Sequence, residues 1–495
     1  MTPAYQHITL ASLLSMESLD NGHGQLSISG LALDSRMIKP GDAFVALQGG
    51  QEHGMHYAPR AEQAGAVVVL SDKADDQSRL SIPVVVIPEL RSKLGAIAAR
   101  YTDNPSAKMT LLGVTGTNGK TSVAYFLAQL LSQSHGCGFI GTTGVGKPGK
   151  KLTEQARTTP DVISLHQTLS GLLAHDCLAV AMEVSSHALD QGRVDGLSFD
   201  IGVFTNLSHD HLDYHGSMQA YAAAKKLLFT DHGVTHAVIN IDDATGLSWS
   251  QELKNQVRVM PFGIQKNVQV EGVFATELDL HADGIRMKVA TPIGEIDVAC
   301  DLIGSFNVSN LLAAIAVLVC MDFAADDITR LVGRLESAPG RMETFGGDHQ
   351  PLVVVDYAHT PDALEKVLQT LQEHCQGELI AVFGCGGDRD ADKRPLMGEI
   401  ASRIASRIIV TNDNPRSEDP AAIAQAILAG ARADARVSTT LDRRRAIAEA
   451  IKSSKAGDCV LVAGKGHEAE QVIGSEVLAF DDREVVRSIL SERAA

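Results

Sequence analysis

The sequence predicts an α/β protein of about three domains. Short aliphatic runs, such as 109–114 (MTLLGV), 178–183 (LAVAME) and 352–356 (LVVVD), alternate with segments of helical periodicity. Runs of this kind are typical of parallel strands that are buried on both faces. The length of 495 residues exceeds what a single hydrophobic core usually serves. The remaining runs of the same type are 378–384, 407–411 and 459–463.

Two turn-rich stretches mark the expected domain boundaries. Residues 102–106 (TDNPS) lie just before a strand and a glycine-rich loop, and residues 337–340 (SAPG) lie where a helical segment gives way to a new run of strands. Clusters of proline, glycine, Asn and Asp favour turns over regular structure. The predicted blocks are therefore residues 1–105, 106–336 and 337–495.

The composition indicates a globular protein with a mostly aliphatic core, because apolar residues make up 44% of the chain and aromatic residues only 4%. A net charge of −17 argues against sequence-independent nucleic-acid binding, which needs clustered Lys and Arg.

Seven cysteines without a C-x-x-C pair favour a reducing compartment. The chain opens without a signal-peptide pattern, and its apolar runs fall short of the roughly 20 residues of a membrane helix; the stretch 311–320 predicts a buried helix instead. We expect a cytoplasmic monomer with no nucleic-acid partner and no membrane span.

The second block opens on a glycine-rich loop. Residues 111–122 (LLGVTGTNGKTS) run from a strand through a glycine-rich turn into a helix. Glycines let backbone N–H groups approach phosphate oxygens, and the helix N-terminus adds a favourable dipole. Lys120 can offset phosphate charge, and Thr121 can place its hydroxyl on Mg²⁺. The expected nucleotide contacts are Gly116, Thr117, Asn118, Gly119, Lys120, Thr121 and Ser122.

The spacing of this loop differs from the strict G-x-x-x-x-G-K-[ST] pattern, because position 114 is Val. A glycine-rich turn before an ordinary helix is therefore the alternative interpretation. The loop by itself predicts a nucleotide and not a reaction.

Two further segments suggest a metal site, since each follows a predicted strand at the edge where α/β proteins place ligands. Residues 181–189 (AMEVSSHAL) carry Glu183, and residues 205–216 (TNLSHDHLDYHG) carry three histidines. The histidines alone would suit zinc. Magnesium fits better beside a phosphate loop, because Mg²⁺ is usually held by few protein groups together with phosphate oxygens.

The compact loop G-T-N-G-K-T-S resembles that of the Mur ligase family, a group related to the folylpolyglutamate synthases. The resemblance implies a central P-loop-type mononucleotide-binding domain with a mostly parallel sheet. It also implies an N-terminal domain for a uridine nucleotide and a C-terminal Rossmann-like α/β domain for an amino acid. ATP would be the co-substrate and Mg²⁺ the cofactor.

The resemblance assigns metal ligands and catalytic residues as well. Lys225, in YAAAKKLLF, corresponds to a lysine whose carbamate holds Mg²⁺; a lysine that caps or solvates its helix is the alternative. His209 lies where relatives often carry Arg and receives no role, and His215 is expected to be a surface or hydrogen-bonded histidine. The implied catalytic set is Lys120, Glu183, His211 and Lys225, and the implied metal ligands are Thr121, Glu183, His211 and Lys225.

Other segments are expected on the ATP side. The segment 304–310 (GSFNVSN) matches one that lies against adenine in the family, which points to Asn307 with Asn310 beside it. A helix start capped by Asn is the alternative. From the third block, the resemblance adds Arg341, Asp356 and His359.

Two groups of residues are expected to bind the nucleotide-linked peptide. In the first block, L-D-S-R resembles a segment that contacts the uridine nucleotide, although its turns would be unremarkable by themselves. Relatives often carry His where this chain has Gly50, and Asn where it has Arg157. The expected uridine-side contacts are Leu33, Ser35, Gly50, Gln51 and Glu52, and the expected muramoyl-dipeptide contacts are Thr158, Thr159, Ser185, Gln191 and Arg193.

The segment 412–418 (NDNPRSE) indicates which amino acid the protein would bind. It resembles the D-N-P-R motif of Mur ligases that add meso-diaminopimelate, where Arg416 would pair with a carboxylate that lysine lacks, and Glu468 would bind an ammonium. A helix-capping loop is the alternative, in which Asp413 or Asn414 could act as a cap and Asp419-Pro420 starts the next helix. The implied pocket comprises Arg389, Asp413, Asn414, Pro415, Arg416, Gly464 and Glu468.

The resemblance as a whole implies an ATP-dependent amide ligase of peptidoglycan synthesis. It would add meso-diaminopimelate to UDP-N-acetylmuramoyl-L-alanyl-D-glutamate through an acyl phosphate. Ligation of L-lysine to the same precursor and a folylpolyglutamate synthase-like reaction are the alternatives within this chemistry. A nucleotide-dependent switch without ligase activity is the alternative outside it.

Overall fold

The chain forms two compact units, which are described in turn. The computed structural model describes residues 7–15, 20–50, 52–73, 80–155, 157–264, 270–281, 284–347 and 349–494. The first unit comprises Met1–Gly263, Asn267–Val273 and Ala313–Asp322, and the second comprises Ile264–Lys266, Phe274–Leu312 and Phe323–Ala495.

The first unit begins with a parallel sheet of four strands that follow one another in sequence order. Its central strands are buried along their whole length, as expected of parallel strands covered on both faces. Leu94 and Ile97 share a core with Val162 and Ile163, so this sheet is joined to the central part of the unit. The strands are Gly30–Ala32, Asp42–Ala46, Val68–Ser71 and Val84–Val86; the helices are Leu10–Leu14, Ala58–Gln63 and Leu90–Tyr101; and Ile8–Thr9 pairs with Ser27–Ile28.

The central sheet of the first unit is parallel except at one edge, where Gly144–Gly146 runs antiparallel to its neighbour. A mostly parallel central sheet, expected from the sequence, is therefore confirmed. The strands that the structure describes for this sheet within the first unit lie in the order Arg258–Gly263, His236–Asn240, Ile201–Phe204, Thr110–Thr115, Ala179–Glu183, Cys137–Gly141 and Gly144–Gly146. Its helices are Lys120–His135, Val162–Ala174, Ser186–Asp190, Leu212–His215, Met218–Thr230 and Ala244–Leu253.

The register of this sheet brings three strand ends together. Glu183 pairs with Val114, and Phe204 pairs with Thr115. Because these strands are parallel, their C-terminal ends share one edge of the sheet. The phosphate loop, Glu183 and the histidine-containing segment after Phe204 therefore begin side by side.

The second unit is built on a six-stranded sheet that is parallel except for its first edge strand. Alternate residues of one strand enter different cores: Val353 and Val355 pack on one face, and Val354 on the other. Coverage of both faces by helices is the Rossmann-like arrangement that was expected. The strands lie in the order Glu343–Gly346, Leu352–Asp356, Cys459–Ala463, Leu379–Phe383, Arg407–Val410 and Val437–Thr439, and the helices are Pro361–His374, Lys393–Ile404, Pro420–Leu428, Arg443–Ser453 and Asp482–Ala494.

Smaller elements complete the chain. The helix Ser305–Cys320 contains the apolar stretch predicted to be buried, and Leu311 to Val319 are at most 6% exposed. Among the residues that the structure describes, none of the helices has the length and apolar character needed to cross a membrane. The other elements are the antiparallel strands Val273–His281, Gly284–Thr291 and Gly294–Cys300, the helix Ala325–Val332, and the hairpin Glu470–Ile473 and Glu476–Ala479.

Candidate active site

The phosphate loop connects the strand Thr110–Thr115 to the helix Lys120–His135. Gly119 precedes the helix with φ of +83°, a left-handed conformation that glycine adopts without strain. Lys120 folds back over the loop, and its Nζ donates to the carbonyl oxygens of Gly116 and Thr117 at 2.9 and 2.8 Å. Its charge therefore lies where bound phosphate would carry negative charge.

Gly116 is held against the neighbouring strand end. A Cβ at Gly116 would lie 1.9 Å from Thr205 Oγ1, and φ is +150°. The Thr205 hydroxyl in turn donates to Asn118 O at 2.6 Å, and Asn206 Oδ1 accepts from the Asn118 N–H at 3.0 Å. The loop is thus fixed by side chains of the next strand end, and only glycine fits at position 116.

Lys225 projects from the helix Met218–Thr230 and is 1% exposed, so it does not solvate its helix. Its Nζ donates to Gly116 O at 2.7 Å and lies 4.3 Å from the ring centroid of Tyr221. Burial, reinforced by the charge of Lys120, lowers the pKa of Lys225 well below its ordinary value. A depressed pKa favours the neutral amine, which is the nucleophilic form of lysine.

Glu183 ends its strand with a buried carboxylate that is 1% exposed. In the described part of the chain, its oxygens accept from the backbone N–H and the hydroxyl of Thr142 at 2.7 and 3.2 Å. Both donors are neutral groups, and a carboxylate oxygen is the type of ligand that binds Mg²⁺. Over these same residues, three or more His, Cys, Asp or Glu do not gather into a metal site.

His211 lies just before the short helix Leu212–His215, with φ of +52°. Its ring centroid is 4.9 Å from that of His187 and 6.0 Å from that of Tyr221. Tyr221 therefore has both His211 and Lys225 near its ring. His215 Nε2 makes a hydrogen bond of 3.0 Å with Ser186 Oγ, which agrees with the hydrogen-bonded role expected for it.

The five residues expected to contact the muramoyl dipeptide form one connected group beside Glu183. The Thr159 hydroxyl donates to Glu183 O at 2.9 Å and accepts from the Ser185 N–H at 3.2 Å. Arg193 Nη1 donates to Thr159 O at 3.1 Å, and its Nε donates to Gln191 Oε1 at 3.0 Å. Thr158 Oγ1 lies 3.0 Å from the hydroxyl of Thr142, the residue that also binds the Glu183 carboxylate.

The residues expected on the uridine side lie in the N-terminal sheet region. Ser35 is buried and begins a 3₁₀ turn, whose N-cap Asp34 accepts from the Arg36 N–H at 2.9 Å. Leu33 is half-buried, whereas Gly50 and Glu52 are exposed, and Glu52 accepts from the Tyr57 hydroxyl at 3.2 Å. Gln51 lies outside the described residues. Their contact with a nucleotide stays a prediction.

In the second unit, the three residues expected on the ATP side lie around one loop. Asp356 accepts from the backbone N–H groups of Met342 and Ala358, both at 2.8 Å, and burial raises its pKa. The Arg341 guanidinium lies 4.7 Å from the ring centroid of Tyr357, and its Nε is without a hydrogen-bond partner among the described residues. His359 Nδ1 is 2.8 Å from Tyr357 O.

Asn307 lies inside the first turn of the helix Ser305–Cys320 and does not cap it. Its Nδ2 donates to Ile303 O at 2.8 Å, and its Oδ1 accepts from Asn310 Nδ2 at 3.0 Å. The alternative of an Asn-capped helix start is therefore wrong, because the amide donates to a carbonyl instead of accepting from a helix N–H. The adenine contact stays a prediction.

The D-N-P-R segment follows the strand Arg407–Val410, and Arg416 has φ of +52°. This conformation costs an L-residue roughly 1–2 kcal/mol. The Arg416 backbone N–H donates to Val472 O at 3.0 Å, and its Nη1 donates to Gly387 O at 2.8 Å. The next helix is capped by Asp419, so capping by Asp413 or Asn414 is wrong.

The rest of the expected amino-acid pocket lies around this segment. A Cβ at Gly464 would lie 2.4 Å from Asp413 Oδ2, so the absence of a side chain there makes room for that carboxylate. Asn414 Nδ2 donates to Glu468 Oε2 at 2.8 Å. Arg389 is exposed, and its Nη1 donates to Asp388 O at 3.1 Å. Asp413, Asn414, Gly464 and Glu468 are thus brought together.

Three parts of the chain match known protein domains. Residues 27–102 match the description "Mur ligase family, catalytic domain", residues 114–318 match "Mur ligase middle domain", and residues 340–466 match "Mur ligase, glutamate ligase domain". The chain belongs to the Mur ligase family. This Mur ligase thus has the three-domain architecture that the sequence predicts.

Relatives with a named reaction cover nearly all of this Mur ligase. It is 45% identical to the UDP-N-acetylmuramoyl-L-alanyl-D-glutamate–2,6-diaminopimelate ligase of Coxiella burnetii, over 94% of this chain and 96% of the relative. It is 46% identical to the ligase of the same name from Ectopseudomonas mendocina, over 91% and 93% of the two chains.

Solved structures resemble this Mur ligase over similar lengths. One, a UDP-N-acetylmuramoyl-L-alanyl-D-glutamate–2,6-diaminopimelate ligase, has a TM-score of 0.72 and 35% identity, and the match covers 99% of this chain and all of the other. The MurF ligase of Thermotoga maritima in complex with ADP has a TM-score of 0.62 at 18% identity, covering 94% and 98%, which shows a shared fold.

Sequence reasoning missed several residues of this Mur ligase that hold site residues in place. Thr142 binds the Glu183 carboxylate, and Tyr357 stacks against Arg341. Lys465 and the buried Arg443 contact the loops of the amino-acid pocket. Thr142 had a detectable signal, since it directly follows an aliphatic run at the edge where ligands bind. The others depend on tertiary contacts that the sequence pattern does not show.

Proposed function

We propose that this Mur ligase joins meso-diaminopimelate to UDP-N-acetylmuramoyl-L-alanyl-D-glutamate, with ATP converted to ADP and phosphate, in peptidoglycan synthesis. The observation that carries the proposal is the D-N-P-R pocket, where Arg416 and the nearby Glu468 offer opposite charges to a zwitterionic amino acid. Relatives named for this reaction, at 45% identity over 94% of the chain, support it. The odd number of cysteines favours the reducing cytoplasm, and a monomeric state stays a prediction.

The first step transfers the γ-phosphoryl group of ATP to the side-chain carboxylate of D-glutamate. An oxygen of the carboxylate forms the new bond to phosphorus, and ADP leaves. Lys120 lies over the loop that would cradle the phosphates and offsets their charge. Preorganised charge of this kind needs no rearrangement during the reaction and is usually the largest contribution to catalysis.

A magnesium ion is part of the proposal. Thr121, Glu183, His211 and a carbamylated Lys225 would hold it, and its charge would offset that of the phosphate oxygens. Carbamylation joins the neutral Lys225 amine to CO₂ and releases one proton. The burial of Lys225 and its place beside Gly116 support this modification, because the carbamate would bring a carboxylate to the phosphate loop.

In the second step, an amine of diaminopimelate attacks the acyl phosphate carbon. Phosphate leaves from the tetrahedral intermediate with the oxygen that the carboxylate contributed, the attacking nitrogen loses one proton to the leaving phosphate or to solvent, and the amide remains. Among the residues proposed here, none acts as a covalent nucleophile. Arg416 and Glu468 act by holding the amino acid in place, and orientation of this kind can lower a barrier by several kcal/mol.

Phosphate release with different amino acids tests the proposal. We expect release that requires the nucleotide dipeptide and an amino acid together, with kcat/KM for meso-diaminopimelate far above that for L-lysine or L-ornithine. Equal use of lysine would overturn the choice of amino acid. Phosphate release that is independent of both substrates would overturn the ligase itself and favour a nucleotide-dependent switch.

Arg416 should carry the preference for diaminopimelate. We expect Arg416→Met to lower kcat/KM for meso-diaminopimelate by about 100-fold, because a charged hydrogen-bonded pair contributes roughly 1.5–3 kcal/mol. Activity with L-lysine should change little, so the ratio of the two kcat/KM values is the measurement. Arg436→Met, at an exposed arginine paired with Glu378, is the matched control. A preference that survives in Arg416→Met would contradict this role.

A further inference from the structure

Lys465 is a fully buried lysine in the second unit. It is 0% exposed and lies two residues after the strand Cys459–Ala463. Its Nζ donates to Asn414 Oδ1 at 3.2 Å, to Glu468 Oε2 at 3.1 Å and to Glu470 O at 2.5 Å. An ammonium group has three N–H donors, so these three acceptors use all of them. Burial of such a charge is costly unless it is paired and hydrogen-bonded, and these contacts provide both.

The first of these contacts fixes the orientation of the Asn414 amide. Its Oδ1 faces two groups that can only donate, Lys465 Nζ and the Val472 N–H, at 3.2 and 3.0 Å. An amide nitrogen at that position would face two donors without an acceptor. Lys465 and the Val472 N–H therefore together turn Asn414 Nδ2 towards Glu468, to which it donates at 2.8 Å.

The second contact fixes the carboxylate of Glu468. Oε2 accepts from both Lys465 and Asn414, whereas the Glu468 side chain keeps 33% of its surface exposed. The carboxylate is thus held from its buried side and remains accessible from its other side.

We propose that Lys465 is the positioning residue of the amino-acid pocket. Its buried ammonium sets the Asn414 amide and the Glu468 carboxylate in the orientations that bind the amino-acid substrate, without touching that substrate itself. The inference rests on the proposed function, because it takes Asn414 and Glu468 as the groups that bind diaminopimelate. The new element is the Lys465 cation, which determines how well Asn414 and Glu468 bind the amino acid.

The substitution Lys465→Met tests this role, because methionine has a similar length and removes the three donors. We expect the KM for meso-diaminopimelate to rise by about tenfold or more, since ordered hydrogen bonds to charged groups are lost. The KM values for ATP and for the nucleotide dipeptide should stay unchanged. A purely structural role would not separate the three KM values in this way. Lys452→Met, at an exposed lysine 3.8 Å from Glu492, is the control.

A second set of variants keeps the test decisive if Lys465→Met does not fold. Lys465→Gln retains two N–H donors and should give a smaller rise of the same KM. In a double-mutant cycle, Glu468→Gln combined with a Lys465 substitution should raise this KM by less than the product of the single effects, because both act through one contact. Additive effects, or an unchanged KM in a folded Lys465 variant, would overturn the inference.

Ligation assays of the wild-type protein distinguish a failure of this inference from a failure of the proposed function. Wild-type protein that does not ligate diaminopimelate would contradict the proposed function. Wild-type protein that ligates it, together with a folded Lys465→Met variant of unchanged KM, would contradict only the role of Lys465.

Discussion

At the scale of single residues, Lys225 illustrates how position changes chemistry. Two adjacent lysines follow one another in the helix Met218–Thr230, yet Lys226 forms a salt bridge with Glu252 near the surface, whereas Lys225 is 1% exposed and binds Gly116 O. Burial and the nearby Lys120 lower the pKa of Lys225 and favour its neutral form. Only one of the two lysines is therefore suited to carbamylation.

Removal of the Lys225 side chain should abolish most activity. We expect Lys225→Ala to lower the rate of phosphate release by about 100-fold or more, because the carbamate proposed to hold Mg²⁺ at the phosphate site cannot form. Short carboxylic acids should restore part of the rate by supplying the missing carboxylate. Lys226→Ala is the matched control and should keep wild-type activity. Unchanged activity of Lys225→Ala, with or without bicarbonate or carboxylic acids, would contradict the assignment.

Sequence reasoning selected Glu183 and Lys225 as site candidates but overlooked residues that contact the candidate sites. Glu183 and Lys225 were assigned by resemblance to a family, and the structure places each of them at the phosphate-loop edge of the central sheet. Lys465 was overlooked, although it lies in the same short segment as Gly464 and Glu468. Its importance depends on burial and on contacts with Asn414, 51 residues away, which no local pattern encodes.

At the scale of elements, the phosphate loop depends on a close approach between two strand ends. We expect Gly116→Ala to destabilise the protein by about 1–3 kcal/mol and to weaken ATP binding, because its Cβ would lie 1.9 Å from Thr205 Oγ1 at a strained φ. Chemical denaturation and the KM for ATP are the measurements.

Gly171→Ala provides the comparison within the same unit. Gly171 lies in the helix Val162–Ala174, and a Cβ there would meet no atom within 4 Å. This substitution should stabilise the protein by roughly 0.5–1 kcal/mol, because alanine loses less conformational entropy in a helix. Equal effects of the two substitutions would contradict the close approach at Gly116.

A buried ion pair connects two elements of the second unit. Arg443 and Asp482 are at most 1% exposed and make two hydrogen bonds, at 2.8 and 2.7 Å. Arg443 also donates to Asn412 O and Ala463 O, the residues just before the D-N-P-R segment and Gly464. It therefore holds the starts of both pocket loops.

Loss of one partner of this pair should be costly. We expect Arg443→Met to reduce the free energy of unfolding by roughly 3–5 kcal/mol, because Asp482 would remain buried without its partner. The double variant Arg443→Met/Asp482→Leu should be more stable than Arg443→Met, since it removes the unpaired charge. Urea denaturation measures both. A double variant that loses the sum of the single effects would contradict the pairing.

The positions of the buried strands were predicted more accurately than any other feature of this protein. The aliphatic runs at 109–114, 178–183 and 459–463 became Thr110–Thr115, Ala179–Glu183 and Cys459–Ala463, each with parallel neighbours. Their patterns are strong because both faces of each strand are buried. The helix after D-N-P-R starts at Asp419-Pro420, as the sequence predicts, whereas Asp413 and Asn414, which were the alternative caps, lie in the loop before it.

At the scale of the whole molecule, the order of motifs along the chain carried more information than any motif alone. The phosphate loop predicted only a nucleotide, and its spacing differed from the usual pattern. Combined with Glu183, Lys225 and the distant D-N-P-R segment, it predicted a ligase, and membership of the Mur ligase family is now established over all three matched regions. Net charge and composition excluded classes of function but could not select one.

The acyl phosphate is the central claim, and oxygen transfer tests it most directly. The nucleotide dipeptide would be prepared with ¹⁸O in the D-glutamate side-chain carboxylate and incubated with enzyme, ATP and meso-diaminopimelate. Mass spectrometry of the released phosphate should then show one ¹⁸O atom for each amide formed, because phosphate leaves with the carboxylate oxygen. Amide formation with unlabelled phosphate would contradict the account.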